Sequence, residues 1–598
     1  MKAEKEVRGI NKNAVGKTYR KQDLLQETMQ EKIKNLIKEA LQNLKIESVD
    51  FVVEHPVDLA MGDYSTNVAM ILSKSLKDNP REIAEKIVAE IQNSPKSDLG
   101  LDRVETAGAG FINFYLLKEF FAENIKEILE NENFGKNSLL VDKKVMVEYT
   151  DPNPFKPFHI GHLMSNSIGE SIARLVEYSG AEVIRANYQG DVGLHVAKAI
   201  YGLIEKGQPD IAMSVEAQAE YIGVCYSYAS NLYDEDKKIK IEIDKINKKI
   251  YEKSDEEINA LYRWGREITL EAFEIIYKKL GTKFEYYFFE SIMAPIGMKV
   301  IKENIGEVFK ESDGAVVFHG DNYDLKLHTR VFITSGGLPT YEAKEIGLTI
   351  TKFEKVNPGL SVVITASEQL DYMRVVQKAI SLIHPEYEKR MKHVTHGMLR
   401  FATGKMSSRK GNIITGESLL KDVEDSILDK IKDRDLEEDE KKSIAEKVGV
   451  AALKYSILKQ NAGSDVVYDF EKSISFEGDS GPYMQYSYAR AQSLLSKAKA
   501  QGINLEAKLP REWESIELEK ILYRFPEVVY RASAEFEPHY ITSYLIDIAR
   551  IYNSFYANTV IVNKEDENSA YKIALTKAFA EVMKKGLYLL GIQAPERM

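Results

Sequence analysis

A strand, a turn and a helix follow one another early in the second quarter of the chain, and this order constrains the fold most. The run 145–149 (VMVEY) suits a strand, 151–154 (DPNP) suits a turn, and 161–178 has helical spacing up to Ser179-Gly180. A second strand-like run follows at 181–187. Strand, helix and strand in this order open a parallel α/β sheet with helices on its faces.

The rest of the chain divides into segments of different character. Helical spacing at 29–44, a helix start at Asn79-Pro80 and short apolar runs up to residue 116 predict a small α+β domain. Charged helical sequence interrupts the α/β region, and helices prevail after about residue 415. We therefore predict a flexible tail at 1–28, an α+β domain at 29–135, a parallel α/β domain at 141–455 with a helical insertion at about 196–290, and an all-α domain at 456–598.

Charge and cysteine content exclude several classes of protein. The 81 Lys and Arg against 92 Asp and Glu give a net charge of −11, so any contact with nucleic acid must come from local basic patches. The single cysteine, Cys225, excludes a disulfide framework and a zinc site built from cysteines.

No apolar run reaches 18 residues, and the basic first 20 residues contain Glu4 and Glu6. We therefore expect a cytoplasmic protein with neither a membrane span nor a targeting peptide. A weak RNA-binding arm is the alternative to a flexible tail.

The segment 156–162, which reads KPFHIGH, lies between the first strand and its helix and predicts a phosphate site. The free amides of a helix N-terminus favour anions. Gly161 leaves room for a base or ribose against the backbone, and Lys156 adds a cation just upstream. His159 and His162 are three residues apart, so they share a helix face and can donate to one phosphate. The alternatives are a histidine pair satisfied within the fold and a pair of metal ligands, for which the sequence offers no obvious further ligands.

A second motif, 404–412, reads GKMSSRKGN. Three cations and two hydroxyls lie between its glycines, and such a loop suits a triphosphate and the charge that develops on it. The glycines at its ends would allow the loop to close over a substrate. The alternative is a solvated turn.

Together these motifs, about 240 residues apart, resemble the HIGH and KMSKS motifs of class I aminoacyl-tRNA synthetases. Flanking segments narrow the resemblance to the arginyl-tRNA synthetases, and they keep that family's order over residues 29–598. These segments are 62–67 (GDYSTN), 110–114 (GFINF), 148–153 (EYTDPN), 187–193 (NYQGDVG), 481–486 (GPYMQY) and 586–598 (GLYLLGIQAPERM).

The resemblance implies a three-domain enzyme. Its parts would be a small N-terminal add-on domain that binds tRNA, a Rossmann-like catalytic domain and a DALR-type anticodon-binding domain. The implied reaction joins L-arginine to tRNA(Arg) through an arginyl-adenylate and ends on the 2′-hydroxyl of the terminal adenosine. ATP and the Mg²⁺ that accompanies it are the implied cofactors, and no zinc is expected. We expect a monomer that needs bound tRNA even to activate arginine.

The resemblance also transfers roles to individual residues, and it assigns no metal ligand. It assigns catalysis to Lys156, His159, His162, Lys405 and Lys410. It assigns ATP binding to His159, Gly161, His162, His396, Met398, Lys405 and Ser407. It assigns arginine binding to Glu148, Asn153, Tyr341, Glu345 and Gln369. It assigns tRNA binding to Phe111, Asn113, Tyr483, Tyr486, Tyr556 and Met598. Packing within the fold is the alternative for Tyr341, Tyr483, Tyr486 and Met598, and a surface carboxylate is the alternative for Glu345.

Two positions depart from the family's pattern. Ser408 stands where the second lysine of KMSKS stabilises the transition state. Many arginyl enzymes lack that lysine and carry one just before the HIGH motif, a pattern that Lys156 fits, with Lys410 as the alternative. Glu345 stands where many relatives carry Asp, which changes the reach of the carboxylate toward a guanidinium.

Two other functions compete with an arginine ligase. One is a non-enzymatic RNA-binding paralogue, which the intact His159, His162 and Lys405 disfavour. The other is a different class I ligase or a nucleotidylyltransferase, since the latter also uses a His-x-Gly-His turn. The helical C-terminal region and the second motif disfavour the nucleotidylyltransferase.

Overall fold

The N-terminal part of the chain folds into an antiparallel sheet covered by helices. The computed structural model describes residues 28–93, 99–324, 326–402 and 415–598. Asn79 caps a helix that Pro80 opens, as the sequence predicts, and the predicted helix at 29–44 is also present. The elements are α1 (Met29–Asn43), β1 (Val53–Glu54), β2 (Tyr64–Thr66), α2 (Val68–Leu76), α3 (Pro80–Gln92), β3 (Leu101–Ala107), β4 (Phe111–Leu116) and α4 (Lys118–Glu130), and the strand order is β1-β2-β4-β3.

A parallel sheet with helices on its faces follows. The elements are β5 (Lys144–Glu148), α5 (Ile160–Tyr178), β6 (Glu182–Gln189), α6 (Leu194–Lys206), α7 (Val215–Glu235), α8 (Lys237–Glu252), α9 (Glu256–Lys279), β7 (Tyr286–Phe289), α10 (Glu290–Glu303), β8 (Lys310–Ser312), β9 (Ala315–His319), β10 (Thr329–Ile333), α11 (Tyr341–Lys355), β11 (Leu360–Ala366), α12 (Leu370–Ile383), β12 (Met391–His396) and β13 (Leu399–Phe401). Five strands form the parallel sheet in the order β12-β11-β5-β6-β7. The predicted parallel sheet is thus confirmed. Strands β8 to β10 form a separate antiparallel sheet.

The strand order places a switch point in the middle of the parallel sheet. After β5 the chain adds β6 and β7 on one side, and it then crosses to the other side for β11 and β12. The direction of winding therefore reverses between β5 and β11. Open α/β sheets bind ligands outside the carboxyl ends of the strands at such a point.

Helices α6 to α9 form a unit with an apolar core of its own. This core contains Ile200, Ile222 and Ile243, and Phe155 from the turn after β5 inserts into it. The sequence analysis did not predict β7, because the run YYFF at 286–289 lies inside the region that we assigned to the insertion. Its parallel pairing with β6 makes it the edge strand of the main sheet.

Helices α10 and α11 cross unusually closely at two glycines. A Cβ on Gly297 would lie 1.7 Å from the carbonyl oxygen of Ala343, and one on Gly347 would lie 2.1 Å from that of Met293. Only glycine permits this approach of two backbones. The crossing fixes α11, and with it Tyr341 at its first turn, against the sheet.

The remaining elements are helical and share a core with the sheet. They are α13 (Gly416–Ile431), α14 (Glu438–Leu458), β14 (Val466–Tyr468), α15 (Phe470–Ser473), α16 (Gly481–Ala500), α17 (Glu517–Leu522), α18 (Phe525–Glu535), α19 (His539–Asn558) and α20 (Ser569–Leu589). One continuous apolar cluster includes Val147, Ile364, Leu453 and Leu587. The predicted boundary at 455–456 therefore falls within α14 and not in a linker. Among the described helices, none has the length and apolar character needed to cross a bilayer.

Buried polar contacts also hold α5 against the end of α20. Lys454 of α14 donates to the carbonyl oxygens of Leu280 (2.7 Å) and Gly591 (2.8 Å). Burial, together with the charge of Arg174, lowers the pKa of Lys454 to about 7. On α5 itself, Ser171 donates to the carbonyl oxygen of Leu589 and Arg174 donates to that of Tyr588, each at 2.8 Å. The helix that begins at the predicted phosphate site is thus tied to the C-terminal end of the chain.

A residue from the helical region completes the N-terminal core. Tyr523, between α17 and α18, is only 5% exposed, and its ring centroid lies 5.5 Å from those of Phe120 and Phe121. Glu527 on α18 accepts a hydrogen bond from the hydroxyl of Tyr64 at 2.6 Å. The N-terminal sheet is therefore docked on the helical region by the buried ring of Tyr523 and by the half-buried carboxylate of Glu527.

Candidate active site

The turn between β5 and α5 is held in an unusual backbone conformation. Thr150, Asp151 and Phe155 have φ values of 81°, 46° and 69°, a left-handed region that residues other than glycine adopt at a cost. The Thr150 N–H donates to Ser165 Oγ at 2.9 Å, and Asp151 Oδ1 accepts from the N–H of Tyr188 at 2.7 Å. These contacts, together with burial of the Phe155 ring, fix the path of the chain into the KPFHIGH segment.

His159 and His162 stack at the start of α5. Their ring centroids are 3.4 Å apart, and the His159 N–H donates to Nδ1 of His162 at 3.1 Å. Because Nδ1 of His162 accepts, its Nε2 carries the proton and remains available as a donor. A Cβ at Gly161 would lie 3.0 Å from the His159 ring, so glycine is needed beneath it.

Both histidines are neutral near pH 7. Burial lowers the pKa of His162 well below its usual value, and the charges of His159 and Lys156 lower it further. His159 is exposed as a residue, but protein surrounds much of its ring. This crowding, with Lys156 and His396 nearby, lowers the pKa of His159 to about 4. Each ring therefore offers one N–H to an anion and contributes no charge of its own.

Lys156 lies at the centre of this group. Its Nζ is 5.4 Å from the ring centroid of Tyr226 on α7, so the insertion helps to position the ammonium. Burial lowers the pKa of His195 on α6 to about 3, and the charge of Lys156 adds to this effect. Burial raises the pKa of Glu290 on α10, and Lys344 and Lys156 oppose that increase. The charge of Lys156 thus acts both on the histidines of the predicted phosphate site and on Glu290 beside them.

Two of the predicted arginine-binding carboxylates lie together at the switch point. Glu148 ends β5 and is 1% exposed, with its Oε2 2.6 Å from Nζ of Lys352. Burial raises the pKa of Glu345 to about 8, and the negative charge of Glu148 adds to this effect. The hydroxyl of Tyr372 on α12 donates to Glu345 and opposes the increase. Both side chains are close enough to act on one cation.

Asn153 reaches the same place from the β5–α5 turn. A Cβ at Gly190 would lie 2.2 Å from Asn153 Oδ1 and 3.3 Å from Cδ of Glu290. Glycine at the end of β6 therefore makes room for the amide. Glu290 is itself paired with Lys344 at 2.5 Å.

Tyr341 and Gln369 lie at the rim. Tyr341 is 67% exposed, and its ring centroid is 4.9 Å from Nζ of Lys344. Packing in the core, which was the alternative for Tyr341, is thus excluded. Gln369 is exposed in the turn that follows β11, at the carboxyl end of the strand. The five predicted arginine-binding residues therefore lie at one edge of the sheet. Glu148 is buried, Asn153 and Glu345 are half-buried, and Tyr341 and Gln369 are exposed at the rim.

Sequence reasoning missed the cations that balance these carboxylates. Lys352 lies seven residues after Glu345 on α11 and so shares its face. The signal was a lysine within the apolar run IGLTITKF, where a lone charge needs a partner. Asp191 is another residue to which the sequence assigned no role. It is fully buried and accepts hydrogen bonds from Arg266 and Ser291. It ties the end of β6 to α9 and α10.

The carboxyl end of β12 and the flanks of the second motif meet the first motif. His396 is buried at the end of β12, and its ring nitrogen lies 2.8 Å from the carbonyl oxygen of Gly397. Met398 is 44% exposed. Thr415 pairs with His159 as an isolated bridge, so the residue after the second motif touches the HIGH turn. Lys405, Ser407, Ser408 and Lys410 lie outside the described residues.

A stack of two tyrosines and an arginine lies on the helical region. The guanidinium of Arg490 is 4.7 Å from the ring centroid of Tyr486 and 4.9 Å from that of Tyr556. Arg490 also donates to Asn553, which holds it in place. Tyr556 is 39% exposed and presents a ring face to solvent beside a cation. Arg490 was not foreseen, although it lies one helical turn after Tyr486 on α16.

The other predicted tRNA contacts differ in exposure. Phe111 is 39% exposed, but Asn113 is only 3% exposed and accepts from the hydroxyl of Ser65. The prediction for this pair thus depends on Phe111. The two side chains are two residues apart and share one face of β4, but Asn113 is covered there and bonded to Ser65 on the neighbouring strand β2. Tyr483 and Met598 pack against the main core, and the carbonyl of Met598 accepts from Arg434. Within the described ranges, no group of three or more His, Cys, Asp or Glu side chains is arranged to hold a metal ion.

Three family models match the chain in sequence. The catalytic domain of class I tRNA synthetases (R) matches residues 124–470, the DALR anticodon-binding domain matches 484–598, and the arginyl-tRNA synthetase N-terminal domain matches 31–116.

Solved structures and curated relatives agree with these matches. The arginyl-tRNA synthetase of Thermus thermophilus superposes with a TM-score of 0.78 at 23% identity and covers 96% of this chain and 100% of its own. That of Plasmodium falciparum gives a TM-score of 0.76 at 21% identity, with 96% and 99% covered. These two show the shared fold. The arginine–tRNA ligase of Clostridium perfringens is 31% identical over 93% of this chain and 97% of its own, and that of Fusobacterium nucleatum is 33% identical over 90% and 93%. The chain therefore belongs to the arginyl-tRNA synthetases, the arginine–tRNA ligases of class I.

Proposed function

We propose how the chain, which ligates arginine to tRNA, divides this reaction among its residues. The observation that carries the proposal is the proximity of two features at one edge of the parallel sheet. One is a helix N-terminus with two neutral histidines, and the other is a group of buried carboxylates. The first suits the phosphates of ATP and the second suits a guanidinium.

In the first step, a carboxylate oxygen of arginine attacks the α-phosphorus of ATP. A bond from that oxygen to phosphorus forms, the bond from the α-phosphorus to the bridging oxygen breaks, and pyrophosphate leaves. The attacking carboxylate is already ionised, so no general base is needed. Catalysis is then positioning plus stabilisation of the charge that develops on the phosphates.

The KPFHIGH segment supplies that stabilisation. The amides of the first turn of α5 and the N–H groups of His159 and His162 donate to phosphate oxygens, and Gly161 admits the nucleoside. Lys156 contributes the cation that the second motif lacks at Ser408. His396 and Met398 at the end of β12 contact the nucleoside side of ATP, and Lys405, Ser407 and Lys410 act from the second motif. ATP would bring Mg²⁺ with it, held mainly by the phosphates, and the ion would supply neutralisation of part of their charge.

The arginine side chain lies at the switch point. Its guanidinium presents a planar fork of donors, which Glu345 accepts with Glu148 behind it. The ring of Tyr341 covers the guanidinium from the rim. Asn153 and Gln369 hold the amino and carboxylate groups of the substrate toward ATP.

In the second step, the 2′-hydroxyl oxygen of the terminal adenosine attacks the carbonyl carbon of the adenylate. The bond from that carbon to the phosphate oxygen breaks, AMP leaves, and the hydroxyl proton passes to the departing phosphate. The tRNA docks through local basic patches, since the chain as a whole is negative. Tyr486 and Tyr556 stack on bases of the anticodon loop, and Phe111 meets the tRNA at the N-terminal sheet. We further propose that the chain acts as a cytoplasmic monomer.

Arginine-dependent exchange of pyrophosphate into ATP, run with and without total tRNA, tests this function. We expect exchange that requires both arginine and tRNA, because bound tRNA completes the site. Exchange with arginine alone would keep the substrate and remove the requirement for tRNA. Exchange with a different amino acid would identify another ligase, and tRNA binding without any exchange would identify a non-catalytic paralogue.

Lys156→Ala should slow adenylate formation by about 10²–10³, the usual loss when one preorganised charge is removed from a transition state. Pre-steady-state formation of arginyl-adenylate in the presence of tRNA measures this rate. Lys198→Ala is the matched control, because Lys198 also lies over a tyrosine ring of the insertion (Tyr233, 4.4 Å) but away from the histidines. A normal rate for Lys156→Ala would remove its assigned role.

The KM for arginine should depend on pH through Glu345. Its pKa of about 8 keeps the carboxyl protonated in the free enzyme below that pH, and it must ionise to pair with a guanidinium. The KM should therefore fall as pH rises, by about tenfold per unit between pH 6.5 and 7.5, and level off above pH 8.5. Glu345→Gln should flatten this slope, whereas the KM for ATP should show no such slope in either protein. The same steep slope in Glu345→Gln would assign the titration to another group.

Tyr556→Ala should raise the KM for tRNA and leave the KM for arginine unchanged. Loss of one base–aromatic stack costs about 1–3 kcal/mol, which corresponds to about 5- to 150-fold in affinity. Tyr323→Ala serves as the control, because that ring is also exposed (47%) but lies in the catalytic region. Equal effects of the two variants on tRNA would contradict a specific stack at Tyr556.

A further inference from the structure

A fully buried lysine lies behind the proposed arginine site and has no role assigned so far. Lys352 of α11 and Glu148 of β5 are each 2% exposed in their side chains, and their charged atoms are 2.6 Å apart. Burying an ammonium is costly unless a counter-ion is close, and removal of one partner leaves the other charge uncompensated. The chain therefore maintains this pair at some cost, at the point where a guanidinium must bind.

Other charged side chains surround the pair of Lys352 and Glu148. Four carboxyl groups approach the site: Glu148 from β5, Asp151 from the turn, Glu345 from α11 and Glu290 from α10. Two lysines face them, and each pairs with one carboxylate, Lys352 with Glu148 and Lys344 with Glu290. Among the residues that the structure describes, no lysine or arginine forms an ion pair with Asp151 or Glu345, and burial raises the pKa of both.

Neutral polar side chains also lie around Glu345. The hydroxyl of Tyr372 on α12 donates to it, and the phenol of Tyr188 on β6 lies within the same field. Between α11 and β11 is a cavity of about 20 Å³, lined in part by Glu345, Lys352, Thr349 and Ser361. This volume suffices for about one water molecule among polar groups. The charge of Lys352 thus acts on both Glu148 and Glu345.

We propose that Lys352 is a positioning residue that sets the charge of the arginine pocket. By neutralising Glu148, it leaves Glu345 as the carboxylate that ionises when the guanidinium arrives, so that the substrate cation pairs with Glu345 without displacing a lysine. This inference rests on the proposed arginine site. It goes further by assigning the charge balance of that site to a residue that does not contact the substrate.

Removal of this charge should act on the substrate through Glu345. Without Lys352, Glu148 and Glu345 form an uncompensated pair of carboxyl groups, and such pairs hold a proton up to a higher pH. Arginine must then displace that proton. The KM for arginine should rise at neutral pH, while kcat at saturating arginine should change little.

Lys352→Met, assayed as full-length protein by arginine-dependent pyrophosphate exchange with total tRNA from pH 6.5 to 9.5, tests the proposal. The midpoint of the KM profile should move up by about one pH unit, which is about a tenfold rise in KM below the midpoint. Lys352→Arg keeps the charge and should keep the wild-type midpoint. An unchanged midpoint in Lys352→Met, or an equal shift in Lys352→Arg, would overturn the proposal.

The double variant Glu148→Gln with Lys352→Met separates charge from packing. It removes both members of the pair, so the net charge of the pocket is that of the wild type, and removal of a whole buried pair is often tolerated. Its midpoint should return to within half a unit of the wild-type value. A shift of about one pH unit in the double variant would mean that the lysine acts through packing. The double variant therefore tests the proposal even where Lys352→Met alone does not fold. Absence of arginine-dependent exchange in the wild type would instead count against the proposed function itself.

Discussion

The burial of acidic side chains at the carboxyl end of β5 is the constraint on which the rest of the structure depends. A site for a guanidinium needs carboxylates away from water, where they repel one another and favour their protonated forms. The fold meets this requirement by bringing Lys352 and Lys344 to the same place from one helix. The tight glycine crossing of α10 and α11 is what holds that helix in position. In the site that we propose, substrate selection would thus depend on helix packing as much as on the groups that touch arginine.

The proposed phosphate side of the site uses uncharged donors, whereas the arginine side uses buried charges. Its histidines lose their charge through burial and mutual proximity, and they are left as directional donors. Their backbone is fixed by left-handed residues in the preceding turn, which buried contacts with β6, α5 and the insertion hold in place. One edge of the sheet therefore combines an uncharged donor surface, which suits an anion, with a pocket that has more carboxyl groups than lysines, which suits a cation.

Much of this architecture could be predicted from the sequence. The strands β5, β6 and β11 and the helix α5 follow from apolar runs and turn residues, and the two motifs predict the phosphate site that we propose at the start of α5. Features that depend on tertiary contacts could not be predicted. Strand β7 is an edge strand whose aromatic run also suits a helix, and its state is decided by pairing with β6. The inward orientation of Asn113 and the pairing of Lys352 with Glu148 both require the positions of other strands and helices. The predicted domain limit near residue 455 lies within α14, because a core that runs through a helix gives no linker signal.

Tyr523 has a consequence for how the chain is made. The ring completes the core of the N-terminal sheet, yet about 400 residues separate it from Phe121, which it contacts. At about 5–20 residues per second of synthesis, the N-terminal sheet would leave the ribosome roughly 20–80 s before that ring exists. During this interval an apolar hollow lined by Phe120 and Phe121 faces water, so the nascent chain presents a surface of the kind that chaperones bind. Docking of the last domain then both closes this hollow and fixes the spacing between the two ends of the molecule.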